Sequence, residues 1–293
     1  MPARTRRMAL VEGAVAGALF GTAAVLIRFM VGVSVFSIAL WRLVIAAGVF
    51  AVIIALRKRG FSWAPIRQYK VRIAVLGILL GLHFILFVSA VVDTSIINAT
   101  VLVNTTSIWS MFVSSFVFKL RPSRAVMLGI VISFIGVVIL TYGDAAPGTM
   151  TLQLKGDLEA LLAAVVEAFY LSYGREIRQK SQIFPLMTTI YVFSALTVLV
   201  IGIGTMQPLV FAPEWTLIVL LIGLGILPTA LAHSFYFSSL SHLKSFETAA
   251  MALLEPIGAT LLGIVFLAQV PKPIFVVGAV FVLAGIFAVA VRE

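Results

Sequence analysis

The sequence predicts an all-α membrane protein with ten transmembrane helices arranged as two inverted five-helix repeats. Three observations carry that prediction. Ten apolar stretches fill almost the whole 293-residue chain, and each is close to the roughly 20 residues that a helix needs to cross about 30 Å of hydrocarbon. Hydrophobic residues make up 62% of the chain, charged residues only 11%, and the mean hydropathy is +1.17; a soluble domain carries about 25% charge. Finally, the sequence around His83 returns, in altered form, around His233.

The spans are read in chain order. Span 1 (8–29) follows Arg4, Arg6 and Arg7 and so imitates a signal peptide. Nine further spans and the lack of a clear small-residue cleavage site make it an uncleaved helix. Its Gly13, Gly17 and Gly21, spaced by four, form a close-contact seam. Span 2 (34–56) carries Trp41 and Arg42, and Trp63 beyond it reads as an interface anchor. Span 3 (70–92) holds His83, Phe84 and Phe87. Span 4 (96–118) is unusually polar, with Ser95, Asn98, Thr100, Asn104, Thr105, Thr106, Ser107 and Ser110. Span 5 (124–142) is spaced by Gly129 and Gly136 and reads as scaffold.

The segment 143–155, GDAAPGTMTLQLK, stops the fifth helix and turns the chain. It divides the protein into a first repeat (1–143), a linker (144–155) and a second repeat (156–293). Span 6 (156–178) contains Glu167 and Tyr170, and span 7 (184–203) is plainly apolar. Span 8 (214–240) opens on Trp215, a second interface anchor, and holds His233, Tyr236, Phe237 and Ser239. Span 9 (246–267) carries Glu255 and Pro256, and span 10 (271–291) repeats the glycine spacing with Gly278 and Gly285. Helices are required because backbone exposed to lipid must satisfy its own hydrogen bonds. A β-barrel would show short alternating segments, whereas these runs are apolar all round.

Charge predicts the orientation. Seventeen of the 21 Lys and Arg residues fall at the N-terminus, at the C-terminus or in the loops on the same side, including Arg57, Lys58, Arg59, Arg67, Lys70 and Arg72 after span 2. The other side has Lys155 and Lys272, and Arg28 and Arg42 lie within spans. The basic side is cytoplasmic by the positive-inside rule, so both termini are expected inside, in a bacterial-type inner membrane. The net charge of +10 sits at helix ends, so nucleic acid is not expected as a partner. The absence of Cys is uninformative about compartment.

The repeat is seen at a fixed offset. His83 meets His233, Phe87 meets Phe237, Ser89 meets Ser239, Ser95 meets Ser245 and Ala99 meets Ala249. After one residue of slippage Gly129 meets Gly278 and Gly136 meets Gly285. The chain has only three His, so paired histidines are hard to produce by chance. Five helices per half means that the second half enters from the opposite face. A pseudo-two-fold axis then lies in the membrane plane, the architecture of many secondary transporters with a midplane site between halves. No phosphate loop or nucleotide fingerprint is present, which argues against ATP-driven transport by this chain alone.

At this point the sequence resembles the drug/metabolite transporter superfamily, specifically its ten-helix EamA type. The resemblance covers essentially the whole chain. Its marks are DTSIINATVLVNTTSIWSMF leading into MLGIVISFIGVVIL, their second copies SFETAAMALLEPIGATLLGIVF and VVGAVFVLAGIFAV, and Arg42 in WRLVIAAG. The family often has Gly-Glu after helices 4 and 9, where this chain has FKLRP and LAQVP. Within the family it is most similar to the YddG-type exporters of aromatic and other amino acids, and the resemblance implies that cargo.

Candidate site residues follow from the cost of polar groups in lipid. Glu167 and Glu255 lie near the middle of spans 6 and 9; each reads as a proton or amine site, or as a carboxylate paired with a neighbouring helix, for Glu255 through Arg42, Ser or Thr. Pro256 breaks its helix and reads as a hinge. His83 and His233 read as packing groups or as dyad-related ligands able to switch near neutral pH. Thr100, Asn104 and Ser107 share a face at i, i+4 and i+7, facing either a cavity or a packed helix. Tyr170, Tyr236, Phe237 and Phe87 are candidate apolar walls, Ser239 a polar neighbour, and Trp109 is expected to line the pathway. Spans 1, 3, 4, 6, 8 and 9 are the expected cavity helices. No ligand-spaced cluster predicts a metal, and no cofactor is expected.

The expected function is export of amino acids, aromatic or bulky apolar, by alternating access, with protons as a possible coupling ion and a monomer as the working unit. Export of organic cations or other small metabolites stays open within the same fold. A membrane-embedded enzyme is the rival from another class; the loops supply no nucleophile or metal constellation, so no enzyme activity is expected. A channel is the third rival.

Overall fold

The computed structural model describes residues 5–57, 60–144, 154–267 and 272–291. Arg4, Lys58, Arg59, Arg292, residues 145–153 of the expected linker and the Gln269–Val270–Pro271 run lie outside the described residues.

The described chain forms ten helical spans. They are α1 (Arg6–Phe29), α2 (Val35–Leu56), α3 (Lys70–Asp93), α4 (Ile96–Val103 continued by Thr106–Phe116) and α5 (Arg124–Asp144). The second half has α6 (Leu154–Lys180), α7 (Ile183–Gly204), α8 (Trp215–Ser239), α9 (Ser245–Met251, Ala252–Leu254 and Glu255–Leu267) and α10 (Pro273–Val291). A single short helix outside the spans, Ala64–Gln68, starts on Trp63 with Pro at its first turn, where the missing N–H costs nothing.

Among the described residues, six helices are long and apolar enough to cross a membrane uninterrupted: α1, α2, α3, α7, α8 and α10. Of the others, α6 carries several charged residues among its 27, and α4 and α9 are interrupted midway.

The helix packing repeats under exchange of the two halves. α3 packs on α6 as α8 packs on α1; α3 packs on α7 as α8 packs on α2; and α4 packs on α6 as α9 packs on α1. The contacts α2 with α7 and α5 with α10 are their own mates. A pseudo-dyad therefore runs between α2 and α7 and between α5 and α10.

Glycine sets the closeness of the second of these pairs. A Cβ on Gly129 would stand 2.7 Å from the Gly285 carbonyl, and one on Gly136 would stand 2.7 Å from that of Gly278. Only backbone-to-backbone contact fits, as in close helix pairs in lipid, where packing rather than hydrophobicity drives association. Ser133 on the same face donates to the Val282 carbonyl at 3.1 Å.

Candidate functional site

Three spans depart from regular helix, and each does so beside the same cavity. In α4 the ladder tightens at Asn104–Thr105, where Thr105 N–H bonds Leu102 and Ser107 N–H bonds Asn104 rather than the residues four back. The neighbouring hydroxyls recapture the loosened carbonyls: Thr105 donates to Leu102 (2.6 Å), Thr106 to Val103 (2.7 Å) and Ser107 to Asn104 (3.1 Å). The polarity of this span thus supplies the internal satisfaction that lipid demands.

In α8 the segment Gly225–His233 widens into π-helical turns around Pro228. A proline inside a helix has no N–H and displaces the carbonyl four residues back; here Thr229 donates to the Leu224 carbonyl at 2.6 Å. In α9 a tight turn, Ala252–Leu254, precedes Glu255 and Pro256. Pro256 then occupies the first turn of the following segment, so the break falls just before it rather than on it.

These irregular turns meet. Asn104 Nδ2 donates to Glu255 Oε2 at 3.0 Å and to the Thr100 carbonyl at 2.8 Å, so the break of one half is bonded to the break of the other. The rings of His83 and His233 stand 6.0 Å apart, edge to face. Their surroundings differ. His83 Nδ1 faces the Ala163 carbonyl at 3.1 Å, which can only accept, so this nitrogen carries the proton; Glu167 Oε2 lies 3.8 Å from it. His233 is held edge-on by Phe20 and Phe84, each at 4.8 Å, and its Nδ1 is buried without a partner. Thr106 Oγ1 lies 3.4 Å from Glu167.

The cavity, counted together with the open solvent at its mouth, spans about 440 Å3 of non-atom space. Of the sequence-predicted residues, His83, Phe87, Asn104, Glu167, His233 and Glu255 line it. The others stand elsewhere. Thr100 lies one turn before the break with its hydroxyl bonded to the Ile96 carbonyl. Tyr170 and Phe237 pack ring against ring at 5.0 Å in the wall behind the cavity, and Tyr236 packs edge-on to Phe20. Ser239 exchanges a hydrogen bond with Thr248 at 2.8 Å. Trp109 is not among the lining residues: its side chain turns outward, 38% exposed and beside Phe112.

The structure also brings in Phe20, Phe84, Arg42 and Thr106. Of the partners offered for Glu255, Arg42 is not the one it takes; Asn104 is. Arg42 Nε donates to Thr229 Oγ1 at 2.9 Å and its guanidinium lies 4.0 Å over the Phe84 ring. Arg42 was visible in sequence as a charge inside a span, but only the π-helical turn of α8 tells where it goes.

Bonds join helix starts in both halves. Arg6 at the start of α1 bonds Glu247 at the start of α9, at 2.9 Å. The counterpart in the other half joins Asp157 near the start of α6 to Thr94 (2.8 Å) and Asn98 (3.2 Å) beside α4. At the latter end Lys155 also bonds Asp93 at 2.7 Å, which raises the ammonium above its ordinary pKa.

A helical membrane bundle built from two exchangeable halves around a polar internal cavity defines a multi-pass membrane transporter. Comparison with known proteins gives the family: the chain belongs to the EamA-like transporter family, whose model matches residues 8–142 and again residues 154–291. It is similar to the uncharacterized transporter YyaM of Bacillus subtilis, with 25% identity over 260 residues, 85% of this chain and 82% of the relative. It is also similar to a probable amino-acid metabolite efflux pump of Salmonella typhimurium, with 24% identity over 198 residues, 64% of this chain and 65% of that one. Among solved structures, a crystal structure matches with a TM-score of 0.81 at 19% identity, over 97% of this chain and 96% of the other, a likeness in fold.

Proposed function

We propose that this transporter exports amino acids, aromatic or bulky apolar ones, from the cytoplasm by alternating access, as a monomer in a bacterial inner membrane with both termini inside. The observation that carries the reading is the cavity at the pseudo-dyad, where an apolar wall of Phe20, Phe84 and Phe87 surrounds Asn104, Glu167 and Glu255. A zwitterion leaving water must have its ammonium and its carboxylate satisfied, and the carboxylates of Glu167 and Glu255 suit the ammonium. The similarity to a probable amino-acid metabolite efflux pump supports the same cargo class. Rocking of the halves about the breaks in α4 and α9 would open the Arg6–Glu247 end and the Asp157–Asn98 end in turn.

Glu167, within reach of His83, is the residue on which proton coupling would act. The two carboxylates also favour a second reading, an exporter of organic cations. The test is counterflow of radiolabelled phenylalanine, tryptophan and methionine in liposomes, with and without an imposed pH gradient. Saturable counterflow supports the amino-acid reading; counterflow of an organic cation with none for any amino acid refutes it. Glu167→Gln and Glu255→Gln that lose only the gradient-dependent accumulation identify antiport, and unchanged accumulation in both removes it.

A further inference from the structure

We propose that Arg42 is the carboxylate anchor of this cavity, so that the transporter selects solutes bearing a free carboxylate over their decarboxylated analogues. The inference rests on the reading above that the cavity is the cargo site. Arg42 is 1% exposed and lies inside α2, far from either end of the span. A guanidinium in that setting needs a counter-charge or a set of acceptors. Among the described residues it has no ion pair: its contacts are the Thr229 hydroxyl, on Nε, and the face of Phe84. Its Nη1 is buried without any hydrogen-bond partner, while the side chain lines the cavity.

The available anions do not fill that role. Glu255 accepts from Asn104, and Glu167 stands beside Thr106 and His83. The cavity therefore holds one guanidinium and two carboxyl groups, each with its own partners. The contacts with Thr229 and Phe84 fix the plane of the guanidinium and leave the Nη1 edge, buried beside the cavity, without a hydrogen-bond partner. That edge presents parallel N–H donors, the fork that matches a carboxylate with two bonds. A carboxylate seated there completes the hydrogen bonding of Nη1 and neutralises the buried charge. An ammonium on the same solute then points toward the glutamate side. Thr229 is a positioning residue here, since it acts through Arg42.

The test is equilibrium binding to the purified full-length protein in lipid nanodiscs, with L-phenylalanine, 3-phenylpropionate and phenethylamine as matched probes. The expected result is that phenylalanine binds at least about tenfold tighter than phenethylamine, the loss that follows when a charge-assisted partner is removed. Arg42→Gln should bring that ratio to within about threefold, and Arg42→Lys, which keeps the charge but not the fork, should lie between. Binding of 3-phenylpropionate without phenylalanine supports the anchor and refutes the amino-acid reading. Phenethylamine binding as tightly as phenylalanine, or no carboxylate binding to protein shown to be folded, overturns the anchor. The probe series on the unmodified chain decides the matter even if the Arg42 variants fail to fold.

Discussion

Replacing Asn104 by Leu should cripple transport through Glu255. Asn104 spends one amide N–H on the Thr100 carbonyl and the other on Glu255 Oε2. Thr100 keeps the backbone bond from Asn104 N–H at 3.1 Å, so the loss falls on the carboxylate. Glu255 is 6% exposed, and a hydrogen bond to a buried charged group is worth about 1.5–3 kcal/mol. At 1.4 kcal/mol per decade that corresponds to about a 10- to 150-fold fall in the rate constant for counterflow at limiting solute. The assay compares four proteins reconstituted at equal folded amount: native, Asn104→Leu, Glu255→Gln and the double variant. On the Glu255→Gln background, Asn104→Leu should cost less than about threefold, giving a coupling of about 1 kcal/mol or more. Costs that multiply independently in the two backgrounds would refute the argument that the breaks of α4 and α9 act as one unit.

Other perturbations separate packing from chemistry. Gly136→Leu puts a side chain where even a Cβ would meet Val282 N at 2.6 Å and the Gly278 carbonyl at 2.7 Å; its thermal midpoint should fall with an overpacking cost of about 1–3 kcal/mol, whereas Gly48→Leu, with open space around it, should be neutral or slightly stabilising. Equal effects at both positions would count against the α5–α10 seam. Trp109→Ala should leave counterflow within about twofold, as surface substitutions usually do, and in a variant keeping only this Trp, brominated lipid chains should quench its fluorescence; a tenfold loss of transport would return Trp109 to the pathway. Arg6→Glu should destabilise by up to about 3 kcal/mol, because it leaves the 1% exposed Glu247 side chain facing like charge; swapping the charges, Arg6→Glu with Glu247→Arg, should restore most of the midpoint, and failure to do so would deny that the pair joins α1 to α9.

Periodicity in the sequence reports what is uniform along a helix, and it located the spans and the repeat. His83 and His233 were legible as dyad mates because histidine is scarce here, and the depth of Glu167 and Glu255 followed from counting residues. Irregular turns were harder to read. The sequence VLVNTTS holds neither Pro nor Gly, so nothing local marks a break at Asn104; it exists because hydroxyls at 105–107 can take the carbonyls and because Glu255 stands opposite. Of the face drawn through Thr100, Asn104 and Ser107, both Asn104 and Ser107 are buried, but only Asn104 lines the cavity. Pro228 was a visible helix breaker, yet the widened turns it produces, and the Thr229 hydroxyl they aim at Arg42, depend on α2 lying against α8. Phe84 was legible as a neighbour of His83, whereas Phe20 carried no signal beyond apolarity, and only packing against His233 gives it a place.

The two halves share a backbone plan but not their side chains. His83 is tethered to a carbonyl while His233 is not, and where the Glu167 carboxylate stands beside His83 the Phe20 ring stands beside His233. Were the halves identical, turning the molecule over in the membrane would change nothing, and the states open to either side would be equal in energy by symmetry. Joining two copies in one chain lifts that degeneracy. Under the alternating access proposed above, each substitution that distinguishes the copies biases which state the carrier rests in and how fast each side loads, while the gradients of solute and coupling ion set the net direction. Making the halves more alike should bring the kinetics of the two sides closer together.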